Sequence, residues 1–333
     1  MTIKELAQEL EMSTTTVSRV LTGQGKKYRI SEKTAQRVRE VASKVDFAPN
    51  QIARNLRLQK TNTIGLIIPN ISNPFFANLA RTVEEGLRKR GKMVLLCDTK
   101  DDTTLEKEAI ELLLARKVDG LLIAPIGEKW EHLKNNVDIP LVLIDRYFEN
   151  NDFAYVTTDN YQGAYDATSF LIAKGHQNIA CIQGLINTSP NKNRIRGVIQ
   201  ALDDHDISHQ ELSILGTNYS AENGYESTQL LLQKAIRPTA IFALNNQIAL
   251  GAMKAINEAR LNIPEDISLI SFDEQYYFEL LSPPLSSVKQ PMEGIGKTAV
   301  ATLFDLLEGK KVTSSKLIPS LIERASVKNI SKS

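Results

Sequence analysis

From residue 63 to residue 325 the chain alternates short, continuous apolar runs with segments of helical periodicity, and few architectures accept that pattern. The runs fall at 63–69 (TIGLIIP), 93–97 (MVLLC), 118–124 (VDGLLIA), 140–145 (PLVLID), 179–183 (IACIQ), 239–244 (TAIFAL) and 267–272 (ISLISF). Each is apolar on both faces, so each predicts a strand covered from both sides. The amphipathic stretches between them, such as 76–90 and 162–174, supply the covers. Strands of this kind separated by helices predict parallel sheets in an α/β body. About 260 residues suit two such lobes better than one sheet. No run of about 18 apolar residues occurs, so no membrane span is expected, and the polar N-terminus does not read as a secretory signal. Cys97 and Cys181 each lie in an apolar run and are expected as two buried, reduced thiols, which fits a cytoplasmic protein.

Charge separates the first 60 residues from the rest. They hold twelve Lys or Arg against six Asp or Glu, while the remainder carries a small acidic excess, so the whole chain is only +1. A basic head on a mildly acidic body predicts a polyanionic partner for the head. Within the head, Thr2 and Glu5 have capping-box spacing, and Ile3, Leu6, Ala7 and Leu10 form one buried helical stripe. After a break at Glu11-Met12-Ser13, Ser13 can cap a second helix, TTTVSRVL. Val17, Val20 and Leu21 gather on one side of that helix; Thr14, Thr15, Ser18 and Arg19 gather on the other. The polar side is short and free of carboxylates, as a phosphate-lined groove requires. Small hydroxyls approach bases closely, and Arg can bond guanine in two-pronged fashion. Ser31 opens a third helix with Ala35, Val38, Val41, Ala42 and Val45 inward. Helix, short turn, helix and supporting helix define a helix-turn-helix domain. Thr14, Thr15, Thr16, Ser18 and Arg19 are its candidate DNA contacts.

Pro49 and Asn50 introduce a further short helix, roughly 50–58, too short to persist alone. It can serve as a plain linker, or fold against DNA with Asn50 and Ala53 on the duplex and Leu56 as an apolar wedge in the minor groove.

The chain resembles the LacI/GalR family of transcription regulators. TIKELAQELEMSTTTVSRVLTG, RISEKTAQRVREVASKVDFAPNQIARNLR and TIGLIIPNISNPFFANLARTVEEGLRKRG follow that family's pattern in order. So do VDGLLIAP, TAIFALNNQIALGAMKAI, IPEDISLISFDE and LSPPLSSVKQP. The resemblance spans essentially the whole chain. It implies an all-α helix-turn-helix head and a two-lobed, periplasmic-binding-protein-like core with parallel sheets, crossed by the chain near 160, 290 and 319. The implied division is a head at 1–46, a hinge at 47–61, a first lobe of 62–160 with 291–318, and a second lobe of 161–290 with 319–330. The implied partners are pseudo-palindromic double-stranded operator DNA, a second copy of the chain, and a small-molecule effector, a carbohydrate in many relatives. No membrane partner and no cofactor are expected.

By the same resemblance, Asn73, Phe75, Phe76, Arg146, Asp159, Arg194, Tyr219, Asn246 and Asp273 are the candidate effector contacts. Aromatic rings can stack on the flat face of a sugar or base, and Arg and carboxylates give directed bonds to hydroxyls. One departure concerns the pair Asn245-Asn246, where the family has Asn-Asp. It removes a strong acceptor for a vicinal diol. Thr14 and Thr15 stand at the specificity positions, and neither can form the bidentate bonds of Arg, Gln or Asn.

Other chemistries fit poorly. GIGKT at 294–298 lacks the earlier glycine of a P-loop, since residue 291 is proline. His205 and His209 have helical metal spacing but stand in an expected turn with no third ligand nearby. No nucleophile elbow, Cys/His pairing or dinucleotide fingerprint is present, so no catalytic residue is expected. The alternative class is a sugar-binding receptor or sugar-modifying enzyme with an adaptor head. The polar tail RASVKNISKS carries no leucine heptad, so a dimer is expected.

Overall fold

The computed structural model describes residues 1–21, 23–45, 60–127, 131–149, 152–209 and 212–331. The chain forms two compact units, Met1–Thr61 and Asn62–Ser333. Asn50, Ala53 and Leu56, named above as hinge contacts, lie outside the described residues.

In the first unit, helix α1 (Ile3–Glu9) starts with the reciprocal capping box of Thr2 and Glu5. Helix α2 (Thr14–Leu21) follows a turn in which Glu11 is left-handed, with φ of 55°. Helix α3 (Glu32–Lys44) is capped by Ser31, whose hydroxyl accepts from the Thr34 amide at 3.1 Å. Leu6, Ala7, Leu10, Val17, Val20, Ala35, Val38 and Ala42 make one small core. Val41 and Val45, expected in the inward stripe, pack at its margin, half-buried.

The second unit contains two six-stranded sheets. The first comprises β1 (Thr63–Ile68), β2 (Met93–Asp98), β3 (Gly120–Ile123), β4 (Leu141–Ile144), β5 (Ala154–Thr158) and β11 (Ser315–Leu317). Its order is β11-β5-β4-β3-β1-β2, parallel throughout. The second comprises β6 (Ile179–Ile182), β7 (Ser213–Leu215), β8 (Ala240–Ala243), β9 (Ser268–Phe272), β10 (Ser286–Lys289) and β12 (Ser320–Ile322). Its order is β12-β10-β9-β8-β6-β7, antiparallel only at β10–β12. The chain therefore passes between sheets after Thr158, after Lys289 and between Leu317 and Ser320.

Helices cover both faces of each sheet, as the doubly apolar strands require. On the first, α4 (Pro74–Arg88) and α11 (Met292–Leu307) cover one face and α5 (Thr103–Ala115) the other; α6 (Glu131–Asn136) lies between β3 and β4 in sequence. On the second, α7 (Asn160–Ala173) and α8 (Ser189–Asp204) cover one face, and α9 (Ala221–Leu232) and α10 (Asn246–Glu258) the other. Cys181 on β6 is buried as expected, and burial pushes its thiol up to about 12. Cys97 is only half-buried, because β2 is a sheet edge.

Helices α9 and α10 approach so closely that their crossing is built on glycine. A Cβ on Gly251 would overlap the Ala221 carbonyl oxygen, and one on Gly224 the Ile248 carbonyl oxygen. Both obstacles are backbone, which cannot rotate aside. Gly251→Ala is expected to destabilise the body by about 3 kcal/mol, the upper range for overpacking, read as a lower urea midpoint. An unchanged midpoint would show that the two helices can slide apart.

Candidate functional site

The carboxyl ends of both sets of parallel strands face a shared cleft, where a chain of this topology places its loops. It holds a cavity of about 300 Å³. The N-cap and first turn of α4 bring Asn73, Phe75 and Phe76 to it. Asn73 caps α4, its Oδ1 accepting from the Phe75 amide at 3.0 Å, and Pro74 occupies the first turn. The two phenyl rings meet edge to face with centroids 4.9 Å apart. Asp145 follows β4 and Asp273 follows β9, both left-handed, with φ of 62° and 72°. Such backbone is uncommon outside glycine and gathers at functional sites.

Two guanidiniums and three carboxylates set the field. Arg194 on α8 is 3% exposed. Its Nε donates to Asn160 Oδ1 at 2.8 Å, one terminal nitrogen donates to the Leu244 carbonyl at 2.5 Å, and the other stands 4.0 Å from Asp273. Its Cζ lies over the Phe272 ring, 3.7 Å from the centroid. Arg146 donates to Asp101 at 3.2 Å, stands 3.8 Å from Asp145, and is 5.7 Å from the Phe76 ring and 5.8 Å from the Tyr219 ring. Burial raises Asp273, opposed by Arg194 and by the Gln290 amide that donates to it at 2.5 Å. Burial likewise raises the Tyr219 phenol, opposed by both arginines.

Asp145 is pushed up to about 6, first by burial, with Arg146 and Arg194 pulling down and Asp273 and Asp101 adding to the rise. The folded chain therefore holds this proton more tightly than the unfolded one, where Asp titrates near ~3.9. The resulting stabilisation is present below about pH 4 and is lost as pH rises through about 6. Asp145→Asn is expected to shrink that fall in stability by about 2–3 kcal/mol, read by urea unfolding at several pH values across the interval. A variant with the parent's pH profile would show that Asp145 titrates normally.

Seven of the nine effector contacts expected above line this cavity: Asn73, Phe75, Phe76, Arg146, Arg194, Tyr219 and Asp273. Asp159 does not; its carboxylate caps α7, accepting from the Gln162 amide at 3.0 Å. Asn246 is fully buried behind the wall, and its neighbour Asn245 reaches the cavity while capping α10. Asn246 donates across the cleft to Asn73 Oδ1 at 3.3 Å, and its own Oδ1 has no hydrogen-bond partner among the described residues. On another side Ser189 and Asn193 bond the backbone and hydroxyl of Tyr147 at 2.9 and 3.1 Å, so the lobes touch beside the cavity. Asp101, Asn218 and Gln290 line the cavity without having been expected. Gln290 stands at the second crossover and joins Thr158 to Asp273. The crossover itself was the available signal for it.

In the head, Thr14 and Thr15 are exposed, and Ser18 and Arg19 half-buried, on one flank of α2. Thr16 stands at the border of that flank, half-buried: its hydroxyl pairs with that of Ser13 at 2.8 Å and its amide donates to the same oxygen. The Arg19 guanidinium lies 3.7 Å from the centroid of the Tyr28 ring. Among the described residues no helix is long and apolar enough to cross a membrane. His209 pairs with Asp203 at 2.5 Å.

A head with three helices among its described residues and a two-lobed body with a polar cleft define a ligand-binding regulator of the periplasmic-binding-protein-like class. Residues 2–50 match the model for bacterial regulatory proteins of the lacI family, and residues 168–327 that for the periplasmic binding protein-like domain. The transcriptional regulator DegA of Bacillus subtilis is 35% identical over 98% of this chain and 97% of its own length. The chain belongs to the LacI family. The Lac repressor dimer, solved with operator and the anti-inducer ONPF, superposes with a TM-score of 0.89 at 25% identity, over 98% of this chain and 99% of that one. A LacI-family regulator from Enterococcus faecium with bound ribose gives 0.74 at 32% identity, over 80% and 99%.

Proposed function

We propose that this LacI-family repressor acts as a homodimer on pseudo-palindromic DNA, releasing or gaining grip when an uncharged, hydroxyl-rich small molecule occupies the cleft. The observation that carries the effector reading is the wall of the cavity. Its two guanidiniums and three carboxylates nearly cancel, which favours a neutral ligand over a phosphorylated one, and each charged group can bond a hydroxyl. The Phe76 and Tyr219 rings offer faces for stacking. The relative from Enterococcus faecium holds ribose, so a sugar is the leading class.

The same division of labour follows the proposed bounds: a head at 1–46, a hinge at 47–61, and lobes of 62–160 with 291–318 and of 161–290 with 319–330. One recognition helix cannot span an operator, so two copies are needed. Met93 and Leu96 on the edge strand β2, and Tyr276 and Leu280 in the second lobe, are exposed apolar side chains that a second copy could cover. A ligand that prefers one lobe arrangement shifts the population toward it, and DNA affinity changes with it. Work on DNA places the protein in the cytoplasm.

Two measurements test this reading. Selection from randomised duplexes with the full chain should yield a symmetric site; failure to select any sequence at moderate salt sinks it. A thermal-shift panel of pentoses, hexoses, their phosphates and purine bases should show the largest rise with a neutral sugar, since a ligand of the folded state raises apparent stability. A rise only with phosphorylated compounds would overturn the charge argument.

A further inference from the structure

We propose that Tyr28 is a positioning residue for base reading. Its ring holds the Arg19 guanidinium in one plane, and the segment 23–30 that carries it forms a second DNA-facing element beside α2. This rests on the reading of the chain as a sequence-specific DNA-binding regulator.

The segment is tied to the end of α2 and closed on itself. Gln24 N–H donates to the Arg19 carbonyl at 2.8 Å, Tyr28 N–H to Gln24 at 3.3 Å, and Ile30 N–H to Gly25 at 2.9 Å. Gly25 is buried, while Lys26, Lys27, Tyr28 and Arg29 are exposed, and no carboxylate occurs between residues 23 and 30. Tyr28 is 42% exposed, so its ring is not there to fill the core. What it touches is Arg19, whose Cζ lies over the ring 3.7 Å from its centroid, with the Lys27 ammonium 6.0 Å from the same centroid.

A guanidinium carries its N–H donors in its plane and none on its faces. Stacking therefore uses a face and leaves the donor fork pointing along the ring plane. Contact with the ring adds to what orders this long side chain before DNA arrives, which favours binding by removing part of the ordering cost. Thr15 and Ser18, on the same flank of α2, are too short to reach as far as Arg19, so the directed bonds to base edges fall to that one side chain. The cations around Tyr28 suit the neighbouring phosphates.

The test uses the full chain on the duplex it selects. Comparison with Arg19→Ala identifies the base pair whose preference depends on Arg19. The discrimination at that pair is then measured for Tyr28→Ala and Tyr28→Phe, with the salt dependence of each. Tyr28→Ala is expected to lose about tenfold in discrimination, within the range carried by one bidentate arginine. Its salt slope should stay unchanged, because no cation is removed. Tyr28→Phe, which keeps the ring, should stay within about twofold of the parent. Circular dichroism melting of the same samples controls for folding of the head. The proposal is overturned if Tyr28→Ala discriminates as the parent does, or binds more tightly, which would make the ring a cover over Arg19. It is equally overturned if Tyr28→Phe fails as badly as Tyr28→Ala, which would assign the effect to the hydroxyl. If the parent itself selects no sequence, the regulator reading fails instead, before Tyr28 is tested.

Discussion

Arg194→Ala is expected to abolish small-molecule binding in the cleft and to lower the stability of the body by about 3–5 kcal/mol, the range for breaking a buried charged pair. The size follows from what the side chain leaves behind. Asn160 Oδ1 and the Leu244 carbonyl would lose their donors in a site nearly closed to water. Asp273 would keep only the Gln290 amide and the Asn246 backbone against the cost of burial, so its carboxyl would rise further. The Phe272 ring would lose the cation stacked on it. Lysine should not restore the site, because an ammonium cannot present two coplanar donors while covering a ring. The checks are urea unfolding of the parent and both variants, and calorimetric titration with the sugar chosen by the thermal-shift panel. If Arg194→Ala unfolded with the parent's midpoint, the geometry around Asn160 and Leu244 would have to be satisfied by water, and the account of the site would need revision.

The second large effect lies in the other unit. Arg19→Ala is expected to cost about 2–6 kcal/mol of operator affinity in a symmetric dimer, because each half-site loses one bidentate contact worth about 1–3 kcal/mol. Affinity for the cleft ligand should be unchanged, since Arg19 and the cleft belong to separate compact units, Met1–Thr61 and Asn62–Ser333. Non-specific binding should weaken only by the share of one cation per copy, seen as a slightly shallower salt dependence. Gel shifts on selected and scrambled duplexes at several salt concentrations separate the two. Equal losses on both duplexes would make Arg19 a phosphate contact.

The two arginines differ in how far they could be foreseen. Arg19 falls on the polar flank of a helix of eight residues whose apolar flank packs in the head core. Helical periodicity alone separates those flanks, so the reading of Thr14, Thr15, Ser18 and Arg19 needed no tertiary information. Thr16 stands at the border of the two flanks, where periodicity does not say that its hydroxyl pairs with the Ser13 cap. Arg194 was legible only through the family resemblance. Nothing in its neighbours along the chain predicts that Asn160, Leu244 and Asp273 will converge on it.

The strands divide the same way. All seven apolar runs became strands with bounds shifted by at most two residues; six are buried on both faces, while β2, at the sheet edge, leaves Met93 and Leu96 exposed. The strands β5, β7, β10, β11 and β12 were not anticipated. Sequences such as SSVK and SKL carry little apolar signal, and they are strands because a neighbouring strand offers unpaired backbone groups. The cavity depends on those late additions: β10 leads directly to Gln290, which ties Thr158 of one lobe to Asp273 of the other.

Amphipathic period, capping residues and doubly buried runs are properties of a few consecutive side chains, so they specified the helix-turn-helix head, the α/β class and most strands from the order of amino acids alone. Which carboxylates and guanidiniums share one low-dielectric space, that Asp159 caps a helix while Asn245 reaches the cavity, and that Tyr28 lies under Arg19 are facts of distance between residues apart in sequence. Only packing sets those distances, and with them the charges the cleft presents.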